Sequence, residues 1–187
     1  MLRQRAYFIT GTDTDVGKTY VASALLRNFV AQGWRAVGMK PVATGDGQPS
    51  DVQILQAASN VDLPTPWVNP YHFVPAIAPH IAAQQEGTEI NLQHILGAFQ
   101  TLSSHADVVV VEGAGGFYAP LNASSNMADL ALMLNIPVIL VVGMRLGCLN
   151  HALLSVEAIT QRGLPLAGWV ANSPNPLTMS MLADNID

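Results

Sequence analysis

"GTDTDVGKT", residues 11–19, follows the apolar run "YFIT" (7–10). Its Gly17-Lys18-Thr19 ending is that of a phosphate-binding loop. The usual template has four residues between its first glycine and the Gly-Lys pair, whereas five separate Gly11 from Gly17. The flanks supply the strand–loop–helix context such a loop needs. Val21, Leu25, Leu26 and Phe29 recur at helical spacing over 18–31, and Gly33 ends the run. Backbone N–H groups at that helix start would point at an anion. Lys18 would add a point charge for β- and γ-phosphates, and the Thr19 hydroxyl would be available to Mg²⁺. The bland alternative is a glycine turn with a capping threonine. Asp13 and Asp15 would repel phosphate if they pointed inward, so they are expected to point away or to face another ligand.

Outward from the loop, "RAVGMK" (35–40), "DVVVVEG" (107–113), "PVILVVG" (137–143) and "LAGWVAN" (166–172) read as strands. Helices are expected at 51–58, with Ser50 as N-cap, and at 91–103, 126–134 and 150–162. "TGDGQPSD" (44–51) reads as a loop. Residues 60–90 hold five of the twelve prolines and read as irregular, with a helix near 80–85. Four consecutive valines in one strand imply burial on both faces, as in a parallel sheet. The alternation predicts one α/β domain over 1–187: a mostly parallel central sheet with helices on both faces, of the phosphate-loop NTPase type.

Composition narrows the function. Half the residues are hydrophobic and 11% are charged, which favours a compact, well-buried chain. A net charge of −5 leaves no basic patch for a nucleic acid. Cys148 is the single cysteine, so no intrachain disulfide forms and a buried, inert thiol is expected. The most apolar window, 131–144, contains Asn135 and Pro137 and is shorter than the ~20 residues of a membrane span. The apolar run near the start is too short for a secretory signal, so a soluble cytoplasmic protein is expected. The five histidines are not spaced like a zinc site. Trp34, Trp67 and Trp169 are expected in the core or at its rim. "SPNPLTMSMLADNID" begins like a helix and stops, so a C-terminal segment is expected to be missing.

Only two lysines occur, Lys18 and Lys40. "MKPVATG" sets Lys40 at the C-terminal edge of a strand, where open parallel sheets bind ligands. A surface lysine at a strand end is the alternative, and the scarcity of lysine tilts the reading towards function. Glu112 ends the valine strand, and a carboxylate there, beside a phosphate loop, is the usual second ligand for Mg²⁺. Spacing alone leaves Asp51 open between a metal ligand and an ordinary acid at a helix start. The glycines of "EGAGG" (112–116) permit close backbone approach to a ligand.

With "GTDTDVGKT", "GMKPVATG", "NPYHF", "APHIAAQQEG", "VVVEGAGGFYAPL", "PVILVVGMRLGCLNHALL" and "LAGWVAN" in that order, the chain resembles the dethiobiotin synthetases of biotin synthesis along almost its whole length. The five-residue spacing of the loop is a signature of that family. The resemblance implies ring closure on 7,8-diaminononanoate with CO₂ and Mg-ATP, in a homodimer with substrate near the subunit interface. It implies Thr19, Asp51 and Glu112 as Mg²⁺ ligands, and Lys18 and Lys40 as contacts to phosphate and carbamate. Asp15, Val16, Gly17, Lys18, Thr19 and Tyr20, with Glu112, Gly113, Ala114 and Gly115, would line the phosphates. Asn172 and Ser173 would lie at the adenine. Thr14 and Thr44 would sit near the diamine, and Gly147, Cys148, Leu149 and Asn150 would receive the substrate carboxylate from the partner subunit.

Two positions depart from the family pattern. Asp15 stands where many members have glutamate, and residue 173 is serine. The family also continues roughly a few dozen residues further, adding a strand and contacts to the base. Two other readings compete. Partition-type or nitrogenase-iron-protein-like switch ATPases carry a second lysine five residues before the main one, where this chain has Asp13. An inactive binding module would not need Lys18, Thr19, Lys40, Asp51 and Glu112 together.

Overall fold

The computed structural model describes residues 5–173. β1 (Arg5–Gly11) opens into the phosphate loop, from which α1 (Lys18–Ala31) departs. β2 (Ala36–Met39), β3 (Val42–Thr44), α2 (Asp51–Ala58), the single turn α3 (Thr65–Val68) and β4 (Tyr71–Phe73) follow. Then come α4 (Pro79–Gln85), α5 (Leu92–His105) and β5 (Val108–Gly116). The order ends with α6 (Met127–Leu134), β6 (Val138–Gly143), α7 (Cys148–Gln161) and β7 (Leu166–Asn172).

The central sheet has the order β2-β5-β1-β6-β7, and every pairing in it is parallel. The α/β class read from the sequence is therefore the observed one. The chain runs from β1 to one side of the sheet and later returns to the other side. That reversal opens a crevice beyond the C-terminal ends of β1 and β5, where doubly wound sheets bind ligands.

The four valines of β5 serve two cores. Val108 and Val110 pack with Ile9, Leu26 and Leu55 on the face covered by α1 and α2. Val109 and Val111 pack with Phe8, Leu102, Leu130 and Leu140 on the face covered by α5 and α6. β7 differs. Ala167, Trp169 and Ala171 along it are exposed among the described residues. Trp169 is 63% exposed, beyond the core or rim expected for it, whereas Trp34 and Trp67 are half-buried. No helix among the described residues is long and apolar enough to cross a membrane.

Two segments depart from the sequence reading. Residues 60–90 are not merely irregular: β4 pairs in parallel with β3, Val42 opposite Tyr71 and Thr44 opposite Phe73. Three-residue strands carry too little periodicity to be seen in advance. Glu112 also does not end its strand, because β5 runs on to Gly116. The β1–β5 register holds to Ile9 opposite Glu112 and resumes at Gly11 opposite Gly116, with β5 taking more residues between them. Glu112 thus lies at a bulge, a device that re-aims a side chain next to a site.

The cap of α2 matches the expectation. Gln53 N–H donates to Ser50 Oγ (3.3 Å), and Ser50 N–H donates to Gln53 Oε1 (2.8 Å). Ser50→Ala is expected to lower stability by about 1 kcal/mol, seen as a lower urea midpoint with unchanged slope.

Candidate active site

The loop after β1 is tied down on both flanks. Thr12 N–H donates to Val141 carbonyl (2.9 Å), and Gly143 N–H donates to Thr12 Oγ1 (3.2 Å). On the far side Asn172 Nδ2 donates to Val16 carbonyl (2.8 Å). Gly17 has φ 90°, a left-handed backbone in which a side chain is strained. There it caps α1 without any side-chain bond, leaving the helix N–H groups for an anion.

Both acids of the loop are accounted for. The Asp13 carboxylate accepts the Thr14 N–H (2.8 Å) and pairs with the Arg145 guanidinium from the loop after β6. The Thr14 N–H, then Arg145, hold its carboxyl below the usual carboxylate range. Its carbonyl meanwhile accepts from Lys18 Nζ at 2.8 Å. Asp15, at φ 58°, is exposed and lines the cleft. Arg145 was missed as a partner because it lies 132 residues from Asp13 and follows no local pattern.

The cleft has a volume of about 370 Å³. Thr14, Asp15, Gly17, Lys18 and Thr19 of the phosphate loop and the start of α1 line it. Lys40, Thr44, Asp51, Glu112 and Gly115 complete the lining. Lys40, one residue past β2, is held by its backbone. Its N–H donates to Val68 carbonyl (2.8 Å), and Asn69 Nδ2 donates to its carbonyl (2.6 Å). Asn69 is a buried polar residue whose only advance signal was the "NPYHF" stretch. Lys40 Nζ lies 2.7 Å from Asp51 Oδ2 and 2.7 Å from Glu112 Oε1. Burial pushes the Lys40 ammonium down, but the Glu112 and Asp51 carboxylates outweigh it and set its pKa above the ordinary lysine value. Burial raises Asp51, and Lys40 with Thr19 overrides it, leaving that carboxyl below the usual range.

Thr19 Oγ1 is 2.8 Å from both Asp51 Oδ1 and Glu112 Oε1. A hydroxyl has one proton and cannot donate to both. Glu112 Oε2 is buried with no partner among the described residues. Over-supplied oxygens around one point suit a hard cation. No group of three or more His, Cys, Asp or Glu side chains gathers among the described residues. An ion here would therefore rest on two carboxylates, a hydroxyl, phosphate and water, the donor set of Mg²⁺ rather than Zn²⁺.

Lys18 is buried, and desolvation, helped by Lys40, lowers its pKa to about 8 while Glu112, Asp51 and Asp15 oppose the shift. Above that pH the free protein holds Lys18 neutral, and an anionic phosphate must restore the proton. Nucleotide affinity is therefore expected to fall as pH rises through about 8, with proton uptake on binding. Calorimetry in two buffers of different ionisation enthalpy at pH 8.5–9 reads this uptake directly.

The other residues singled out in the sequence spread more widely. Val16 is buried beneath the loop, Tyr20 is 71% exposed on α1, and Gly113 carbonyl is 3.5 Å from Lys40 Nζ. Ala114 is part of β5, and Ser173 directly follows Asn172. Gly147, Cys148, Leu149 and Asn150 open α7, with Cys148 buried and its neighbours exposed, and they do not line this cleft.

A family model described as an AAA domain matches residues 5–186. The ATP-dependent dethiobiotin synthetase BioD of Nitrosospira multiformis is 52% identical over 184 residues, covering 97% of this chain and 81% of that protein. The chain belongs to the dethiobiotin synthetase family. The dethiobiotin synthetase of Aromatoleum aromaticum is likewise 52% identical, over 94% of this chain and 81% of its own length. With that membership the chain is an ATP-dependent ligase of biotin biosynthesis. Solved structures extend the likeness of fold beyond dethiobiotin synthetases. The kinase domain of Escherichia coli tyrosine kinase ETK superposes with a TM-score of 0.58 at 17% identity, over 91% of this chain and 68% of that one. Septum site-determining protein MinD of Pyrococcus horikoshii, complexed with Mg-ADP, gives 0.56 at 12% identity, over 94% and 76%.

Proposed function

We propose that the chain converts 7,8-diaminononanoate, CO₂ and Mg-ATP to dethiobiotin, ADP and phosphate, as a cytoplasmic homodimer. The supporting observation is that both lysines of the chain and the Thr19, Asp51 and Glu112 oxygens face one cleft at the phosphate loop. One amine of the substrate attacks CO₂ and loses a proton, giving a carbamate. A carbamate oxygen then attacks the γ-phosphorus, and the bond to ADP breaks. The second amine attacks the carbonyl of that mixed anhydride, expels phosphate and closes the cyclic urea.

The carbamate and the triphosphate that must meet are both anionic, so the chain's work is to gather cations and to orient. Lys18 meets the β- and γ-phosphates, and Lys40 meets the carbamate and the transferred group. Thr19, Asp51 and Glu112 would hold Mg²⁺, which would supply positive charge against the triphosphate. Asp15 to Tyr20 and Gly113 to Gly115 surround the phosphates, while Asn172 and Ser173 meet the adenine. Thr14 and Thr44 lie near the diamine. The N–H groups from Gly147 to Asn150 bind the substrate carboxylate across the subunit interface.

Purified protein with Mg-ATP and bicarbonate is expected to release phosphate only when 7,8-diaminononanoate is added. Hydrolysis that proceeds equally without the diamine would sink the ligase reading in favour of a nucleotide switch.

A further inference from the structure

Lys40, the catalytic cation of the reading above, is in a pose from which it cannot act. Its ammonium has three N–H bonds. They face Asp51 Oδ2 (2.7 Å), Glu112 Oε1 (2.7 Å) and, at 3.5 Å, Gly113 carbonyl. The side chain is 5% exposed. Nothing remains to grip a phosphate or a carbamate. The two carboxylates it holds are also the two that would hold the metal, and Thr19 Oγ1 shares Glu112 Oε1 with it.

We infer that Lys40 is the site's resident counter-cation, and that a divalent ion binding at Thr19, Asp51 and Glu112 displaces its ammonium and so frees it for substrate. The inference rests on the proposed metal site. Two cations on the same pair of carboxylates repel one another strongly in a shielded site. Exchange lets Glu112, 1% exposed, stay compensated before and after the ion arrives, whereas an uncompensated buried charge would be costly. The motion is confined to the side chain. Asn69 and Val68 fix the Lys40 backbone, while its four-carbon stem is flexible. Lys40 is thus withheld from chemistry until the metal is in place, which ties the phosphoryl-transfer step to a loaded site.

With only two lysines, the test reads each one separately. The protein, free of nucleotide, is titrated with Mn²⁺ alone while free Mn²⁺ is followed by electron paramagnetic resonance. Brief acetic anhydride pulses are then quantified at Lys18 and Lys40 by mass spectrometry. Saturating Mn²⁺ is expected to raise acetylation of Lys40 several-fold and that of Lys18 much less. Lys40→Met, lacking the competitor, is expected to bind Mn²⁺ more tightly than the wild-type chain. Lys40 labelling that is unchanged or reduced at saturation overturns the exchange but leaves the metal site standing. Absence of any saturable site overturns the exchange, since the ion then needs phosphate to bind; a Glu112→Gln variant that binds Mn²⁺ like the wild type removes the metal reading and the exchange with it.

Discussion

Lys40→Ala is expected to lower turnover roughly 10²–10³-fold, the usual cost of removing one group that stabilises charge in a transition state. Mg-ATP should still bind, because Lys18, the loop amides and the Thr19–Asp51–Glu112 oxygens remain. The variant should also be less stable. It leaves Glu112, 1% exposed, without its cation, and breaking a buried pair costs about 3–5 kcal/mol. Asp51, with a side chain 44% exposed, adds little to that loss because water reaches it. The discriminating pair of measurements is kcat at saturating diamine and nucleotide affinity by calorimetry, both on protein shown to be folded by circular dichroism. Lost affinity with preserved turnover of the bound complex would make Lys40 a nucleotide anchor instead.

Gly17→Ala is expected to weaken nucleotide binding roughly 100-fold. At φ 90° an alanine carries a left-handed penalty of about 1–2 kcal/mol. The new Cβ would also stand 2.0 Å from Asn172 Nδ2, so that amide must swing away and give up its 2.8 Å bond to Val16 carbonyl. That bond contributes about 1 kcal/mol. Together the two effects approach the ~2.8 kcal/mol of a hundredfold change. They fall on binding because the nucleotide must rebuild the loop against them. Gly33→Ala is the control: its φ of 83° carries the same backbone penalty, but no atom lies within 4 Å of the new Cβ. It should lose stability and leave nucleotide affinity as it was. Equal affinities for Gly17→Ala and wild type would show that the loop does not need this packing.

Much of the fold was readable because it is local. The boundaries of α1 follow from helical spacing between a phosphate loop and a terminating glycine, and α2 begins at the serine whose hydroxyl caps it. β7 occupies the segment expected of it, since a short apolar run between turns has few other uses. The β3–β4 pair was not readable, because three-residue strands exist only through each other. Nor was the extension of β5 past Glu112, which depends on a bulge against β1 rather than on any residue in β5 alone.

The candidate site divides along the same line. Residue chemistry nominated Lys18, Thr19, Lys40, Asp51 and Glu112 singly: two scarce lysines at strand and loop ends, and oxygen donors at helix and strand boundaries. Only folding made them partners. Thr19 reaches Asp51 across 32 residues and Glu112 across 93, and Lys40 reaches Glu112 across 72. The acidic loop follows the same logic. Asp13 looked hostile to phosphate, and its charge is met by Arg145 from the loop after β6, 132 residues away. Periodicity, caps and turns act within a few residues and are written into the chain. Which cation meets which carboxylate is set by the order of strands in the sheet, and that order comes from packing both faces of β5 at once.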